Sequence, residues 1–129
     1  MEQRTGVLAK YWDEQKLILQ YKYFIFNGKK EGEYKEYYTN RYLFHIYNYK
    51  NNKREGEYKH YKRNNQLQTI YNYKNNNIHG ECKEYHDNGQ LMEICNYNNN
   101  YRMIEECILY DTSGKILRID EYQLIIKME

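Results

Sequence analysis

The chain has 129 residues, a formal net charge of +2 and 29% charged residues, and 18 tyrosines sit inside its 40% hydrophobic share. That length fits one domain, and the near balance of 20 Lys and Arg against 18 Asp and Glu excludes a field strong enough to draw nucleic acid or anionic membrane from a distance. With so much of the apolar share in tyrosine, a thick aliphatic core is excluded, and a thin tyrosine-lined sheet is expected.

The opening MEQRTGVLAKYWDEQ has no apolar run of signal-peptide length, and no stretch reaches the ~20 apolar residues of a spanning helix, so an intracellular, cytoplasmic chain is expected. From Gly6 the chain reads as a repeat array. Gly32, Gly56 and Gly80 stand 24 residues apart and open closely similar stretches: GEYKEYYTNRYLFHIYNYK, GEYKHYKRNNQLQTIYNYK and GECKEYHDNGQLMEICNYN. Repeats are expected at about 6–31, 32–55, 56–79, 80–104 and 105–129. The first carries a two-residue insertion around Asn27 and Gly28, and the fourth an extra residue among Asn98 to Met103. The fifth opens with Glu105 in place of glycine, and atypical end copies are what a stacked array needs. Trp12, the only tryptophan, is expected to cover the open end of the stack.

Turn residues recur at two places in each repeat: Asn40-Arg41, Asn64-Asn65 and Asn88-Gly89 midway, then Asn51-Asn52, Asn75-Asn76 and Asn99-Asn100 near the end. Each repeat is therefore two strands and two turns. Two-residue midway loops would set Tyr34 opposite Tyr47, Tyr58 opposite Tyr71 and Cys82 opposite Cys95. They would also set Gly32, Gly56 and Gly80 opposite Tyr49, Tyr73 and Tyr97, each ring folding over bare backbone. One face then carries Tyr34, Leu43, Tyr47 and Tyr49. The other carries Glu33, Lys35, Tyr37, Ile46 and Asn48, and its Glu and Lys neutralise one another locally.

The motif Gly-Glu-x-Lys-x-Tyr, then Asn-Gly-Gln-Leu, Ile-x-Asn-Tyr and a closing His-Gly resembles the MORN repeat. It is similar to the variant MORN arrays of bacterial proteins and of large DNA viruses of amoebae. The resemblance covers nearly the whole chain and implies an all-β fold, an elongated twisted antiparallel sheet of about five consecutive β-hairpins. It implies modules attached to many activities, phosphoinositide or membrane-surface binding among them, and bacterial variant arrays described as antitoxin-like neutralisers of a protein.

No catalytic set emerges. Ser113 is the only serine and occupies a turn; His45, His60, His79 and His86 read as surface decoration; the carboxylates recur in every repeat, where an acid–base pair would occupy one special place. A zinc set of Cys82, Cys95, Cys107 and His86 is set aside because His86 lies about 13 Å along a strand from Cys82. The thiols are expected to be free in the cell, with Cys82 and Cys95 able to bridge on oxidation. No enzyme activity, metal or cofactor is therefore expected. The expected function is a non-catalytic protein-binding or scaffolding module presenting Tyr34, Tyr47, Tyr49, Tyr58, Tyr71 and Tyr73, with a phosphoinositide surface as the alternative and no nucleic acid partner. The alternating run through Tyr122, Leu124 and Ile126 is read as the last strand, and as an edge through which a homodimer could form.

Overall fold

The computed structural model describes residues 4–117, and every regular element among them is a β-strand. The strands are β1 Gly6–Tyr11, β2 Leu19–Phe26, β3 Lys29–Tyr37, β4 Leu43–Lys50, β5 Lys53–Arg54, β6 Gly56–Tyr61, β7 Leu67–Lys74, β8 Asn77–Ile78, β9 Gly80–Tyr85, β10 Leu91–Asn98, β11 Tyr101–Tyr110 and β12 Ile116–Leu117. They form one open antiparallel sheet in chain order, with β5 and β8 as short leading pieces of the strands that continue in β6 and β9. The Tyr122, Leu124 and Ile126 edge lies outside the described residues.

The turns between repeats follow directly from their asparagines. Asn51 and Asn52 have φ of 56° and 71°, Asn75 and Asn76 51° and 71°, and Asn99 and Asn100 47° and 72°. Two consecutive left-handed residues make the two-residue hairpin turn whose twist matches the flanking strands, and asparagine tolerates that region better than any residue except glycine.

The midway turns differ from the two-residue expectation. Tyr38 N–H bonds Tyr42 O while Arg41 N–H bonds Tyr38 O, leaving a three-residue loop with Arg41 alone at positive φ; Lys62 to Gln66 and His86 to Gln90 repeat it. The longer loop moves the pairing by one, and an unpaired bulge residue just beyond it moves the pairing back: Phe44, Gln68 and Met92 lie opposite no single partner. The two offsets cancel. Tyr34 thus faces Tyr47, Tyr58 faces Tyr71, Cys82 faces Cys95, and Gly32, Gly56 and Gly80 face Tyr49, Tyr73 and Tyr97, as the sequence reading placed them.

One residue changes sides because of the bulge. Leu43 pairs with Tyr37, so it shares the face of Lys35 and Ile46 and not the tyrosine face assigned to it from sequence.

The repeat glycines also have a different cause. Gly32, Gly56 and Gly80 take φ of 75°, 85° and 86°, and a Cβ on any of them would have no atom within 4 Å. Backbone conformation, not a ring pressed on bare backbone, selects glycine there. The extra residue of the fourth repeat lies beyond Met103 and not before it. Asn98 still pairs with Tyr101 across an intact two-residue turn, whereas Ile104 to Cys107 span the gap between the Asn96–Met103 and Ile94–Ile108 pairs. With one more residue to bend, that strand needs no left-handed position, which is why Glu105 can replace glycine.

The most buried apolar side chains are Ile25, Tyr73, Cys82, Cys95 and Cys107, and alternation along their strands puts them on the tyrosine face. Among the described residues no second layer covers that face.

Candidate functional site

The tyrosine face is a stack running across the strands. Tyr34 and Tyr47 lie 4.7 Å apart between ring centroids at 22°, and Tyr58 and Tyr71 4.4 Å apart at 15°. Tyr23 to Tyr34 and Tyr47 to Tyr58 join neighbouring hairpins at 5.8 Å. Offset stacking at these separations adds about 0.5–1.5 kcal/mol per pair beyond the area buried. Tyr49 and Tyr73 stand edge-on, Tyr73 at 5.9 Å from Tyr58. Lys30 sits over Tyr49 and Arg54 over Tyr73, capping the stack with cations. Of the six tyrosines named from sequence, Tyr73 is buried and the other five are half-buried.

Burial raises the tyrosine hydroxyls. It pushes Tyr58 up to about 12, and it lifts Tyr34, Tyr47 and Tyr71 further, helped by the Tyr34 bond to Glu36 and by the Tyr47–Tyr49 and Tyr71–Tyr73 hydroxyl contacts. The stripe is uncharged at neutral pH.

The histidines are not surface decoration. His45 lies within the stripe, with Nε2 3.1 Å from Glu36 Oε1 and Nδ1 3.1 Å from the Tyr58 hydroxyl. Burial lowers its pKa against the pull of Glu36, so the ring is neutral at pH 7. His60 Nδ1 bonds Phe44 O, and His86 Nε2 donates to Tyr110 O. His79 Nδ1 is buried without a partner. Glu36 and His45 escaped sequence reasoning because their columns vary, Glu36 standing with His60 and Glu84, and His45 with Thr69 and Glu93.

On the opposite face the expected lattice is present: Glu33–Lys35, Glu57–Lys59 and Glu81–Lys83 pair at 3.0, 3.2 and 3.3 Å. These exposed pairs contribute little to stability, and each neutralises its own two charges.

Neighbouring repeats are latched along the midway turns. Trp12 Nε1–H donates to Tyr37 O at 3.1 Å, Tyr38 O–H to Tyr61 O at 2.7 Å, and Asn40 and Asn88 amides to Arg63 O and Thr112 O. Lys62 reaches the Asp87 carboxylate in the same column. Trp12 is therefore a bond to the next repeat, and the residue stays 45% exposed.

The stripe ends in cysteine. Cys95 is bridged to Cys107, and Cys82 is a buried free thiol raised to about 11 by its burial. The Cys82–Cys95 facing pair holds, yet the bridge forms on the other side of Cys95. A strand residue directs its N–H and C=O to one neighbour and stands in a narrow pair with the other. The Cys95–Cys107 Cα separation of 4.1 Å is that narrow spacing. The three-residue loop and bulge change which side is narrow, so the two-residue loop assumed from sequence pointed to the wrong partner.

The period, the paired turns and the tyrosine columns agree with a direct match: residues 54–75 and 78–99 fit the family described as the MORN repeat variant. These two stretches are variant MORN repeats. The matched segments fall on the third and fourth copies, and the pairing within them recurs in the hairpin of the second copy. No curated protein and no solved structure matches the chain. MORN repeats are non-enzymatic binding modules of protein or membrane surfaces.

Proposed function

We propose that this MORN array is a protein-binding or scaffolding module whose contact surface is the tyrosine face between Tyr34 and Tyr73. The supporting observation is that the half-buried rings of Tyr34, Tyr47, Tyr49, Tyr58 and Tyr71 form one stripe over two hairpins that no second layer covers among the described residues. Tyrosine presents large apolar area at low conformational cost and keeps a hydroxyl for hydrogen bonding, which is why it is enriched at interfaces. The stack pre-orders these rings, reducing the entropy lost on binding. A phosphoinositide surface would need a cluster of basic residues free to meet phosphate, whereas Lys35, Lys59 and Lys83 opposite are each paired with a glutamate. Neutralisation of a toxic protein is one form the same contact could take.

A photo-crosslinking residue placed at Tyr49 and, separately, at Asn72 on the opposite face tests the reading in native-cell extract. Protein adducts from position 49 and none from 72 are expected. Adducts confined to position 72, or lipid adducts alone, would contradict it.

A further inference from the structure

Cys95 and Cys107 are among the most buried side chains, at 1% and 2% exposure, and the Glu93 carboxylate lies beside them. One donor atom from each of the three falls within 4.8 Å of the others. We propose that in the reduced protein Glu93, Cys95 and Cys107 bind one soft divalent cation of the zinc class.

The fold supplies the convergence. Glu93 and Cys95 are two apart on β10 and so share a face, and Cys107 of β11 meets Cys95 next to the Ile94–Ile108 pair, with their Cα atoms 4.1 Å apart. Tetrahedral zinc with sulfur at about 2.3 Å holds two thiolates about 3.8 Å apart, which two facing side chains reach by rotation about χ1. His86, considered from sequence, is not involved; it bonds Tyr110 O. Glu93, two residues before Cys95 on the same strand, supplies the third donor instead.

Arg102 supports the site from outside. Its Nε–H donates to Cys95 Sγ at 3.4 Å and its Nη2 to Glu93 Oε1, leaving Oε2 for a metal. Two thiolates and a carboxylate carry three negative charges, and a divalent cation with one guanidinium neutralises them, so the buried cluster closes without excess charge. Met103 O, 3.8 Å from Cys95 Sγ and 3.5 Å from Cys107 Sγ, closes one side of the pair. The fourth position is left to an external ligand. The same two sulfurs form the bridge, so metal and disulfide exclude one another. Two-electron reduction of the bridge by a thiol reductant frees both thiols, and metal binding releases their two protons.

The test is a cobalt(II) titration of the full chain, reduced with a phosphine and, separately, with the bridge intact, followed by competition with zinc. The reduced protein should develop a thiolate-to-cobalt charge-transfer band saturating at one equivalent, and the bridged protein should show none. Cys107→Ser should abolish the band, Arg102→Gln should weaken binding about tenfold, and Cys82→Ser should leave it intact. Absence of the band in reduced wild type, an equal band in the bridged protein, persistence in Cys107→Ser, or loss in Cys82→Ser overturns the proposal. The wild-type comparison decides even if a variant fails to fold.

Discussion

Asn52 bonds Lys30 twice: its N–H donates to Lys30 O at 3.0 Å and its Oδ1 accepts the Lys30 N–H at 2.8 Å. Asn76 does the same to Arg54, and Asn100 to Ile78. The second asparagine of each turn is therefore a clip onto the turn one repeat earlier, a nearest-neighbour coupling of the kind that sets stability in repeat arrays.

Replacing Asn76 separates the clip from the turn. Asn76→Gly keeps the left-handed backbone and loses the side-chain acceptor, so it should cost about 1 kcal/mol in urea unfolding. Asn76→Asp retains the acceptor and should cost less than Asn76→Gly. Equal losses would show that Oδ1 contributes nothing.

At Gly56 the open space around the missing Cβ and the φ of 85° make separable predictions. Gly56→Ala should cost about 1–2 kcal/mol from left-handed strain, and Gly56→Asn clearly less. A crowded site would instead tolerate Asn worse than Ala.

Alkali should unfold the array through its tyrosines. Tyr58 titrates from 10 in the unfolded chain to about 12 in the fold, so between those values the folded state binds more protons and stability falls as pH rises. The contribution is fully present below pH 10. Tyrosinate absorbance should rise in two phases, the later one coinciding with loss of the strand signal in circular dichroism. A single phase complete before any unfolding would contradict the buried stack.

Flotation with phosphoinositide liposomes at physiological salt should leave the protein in the soluble fraction, because Glu33, Glu57 and Glu81 hold the lysines of the exposed lattice. Strong flotation that is lost in Lys35→Ala and Lys59→Ala would favour a membrane surface instead.

The glycine and tyrosine columns, with their 24-residue spacing, made the hairpin order and cross-strand pairs readable before any coordinates. The asparagine pairs gave the turns between repeats because positive φ has a residue signature. The bulges have none: Phe44, Gln68 and Met92 occupy equivalent positions and share no chemical property, so nothing in the letters announced an unpaired residue there. The side taken by Leu43 and the partner of Cys95 were misplaced through that silence. The Glu36–His45–Tyr58 contacts were hidden for another reason: each repeat fills those columns differently, and repetition was the signal being read.

Ring-to-ring nuclear Overhauser contacts in assigned, specifically labelled protein report whether the tyrosine stack is continuous in this register. Contacts should run Tyr34 to Tyr47, Tyr47 to Tyr58 and Tyr58 to Tyr71, whose centroids lie 4.7, 5.8 and 4.4 Å apart. A pattern in which Tyr37 or Tyr61 contacts Tyr47 while Tyr34 does not would mean that the strands have slipped by one residue, the faces are exchanged and the tyrosine stack does not exist.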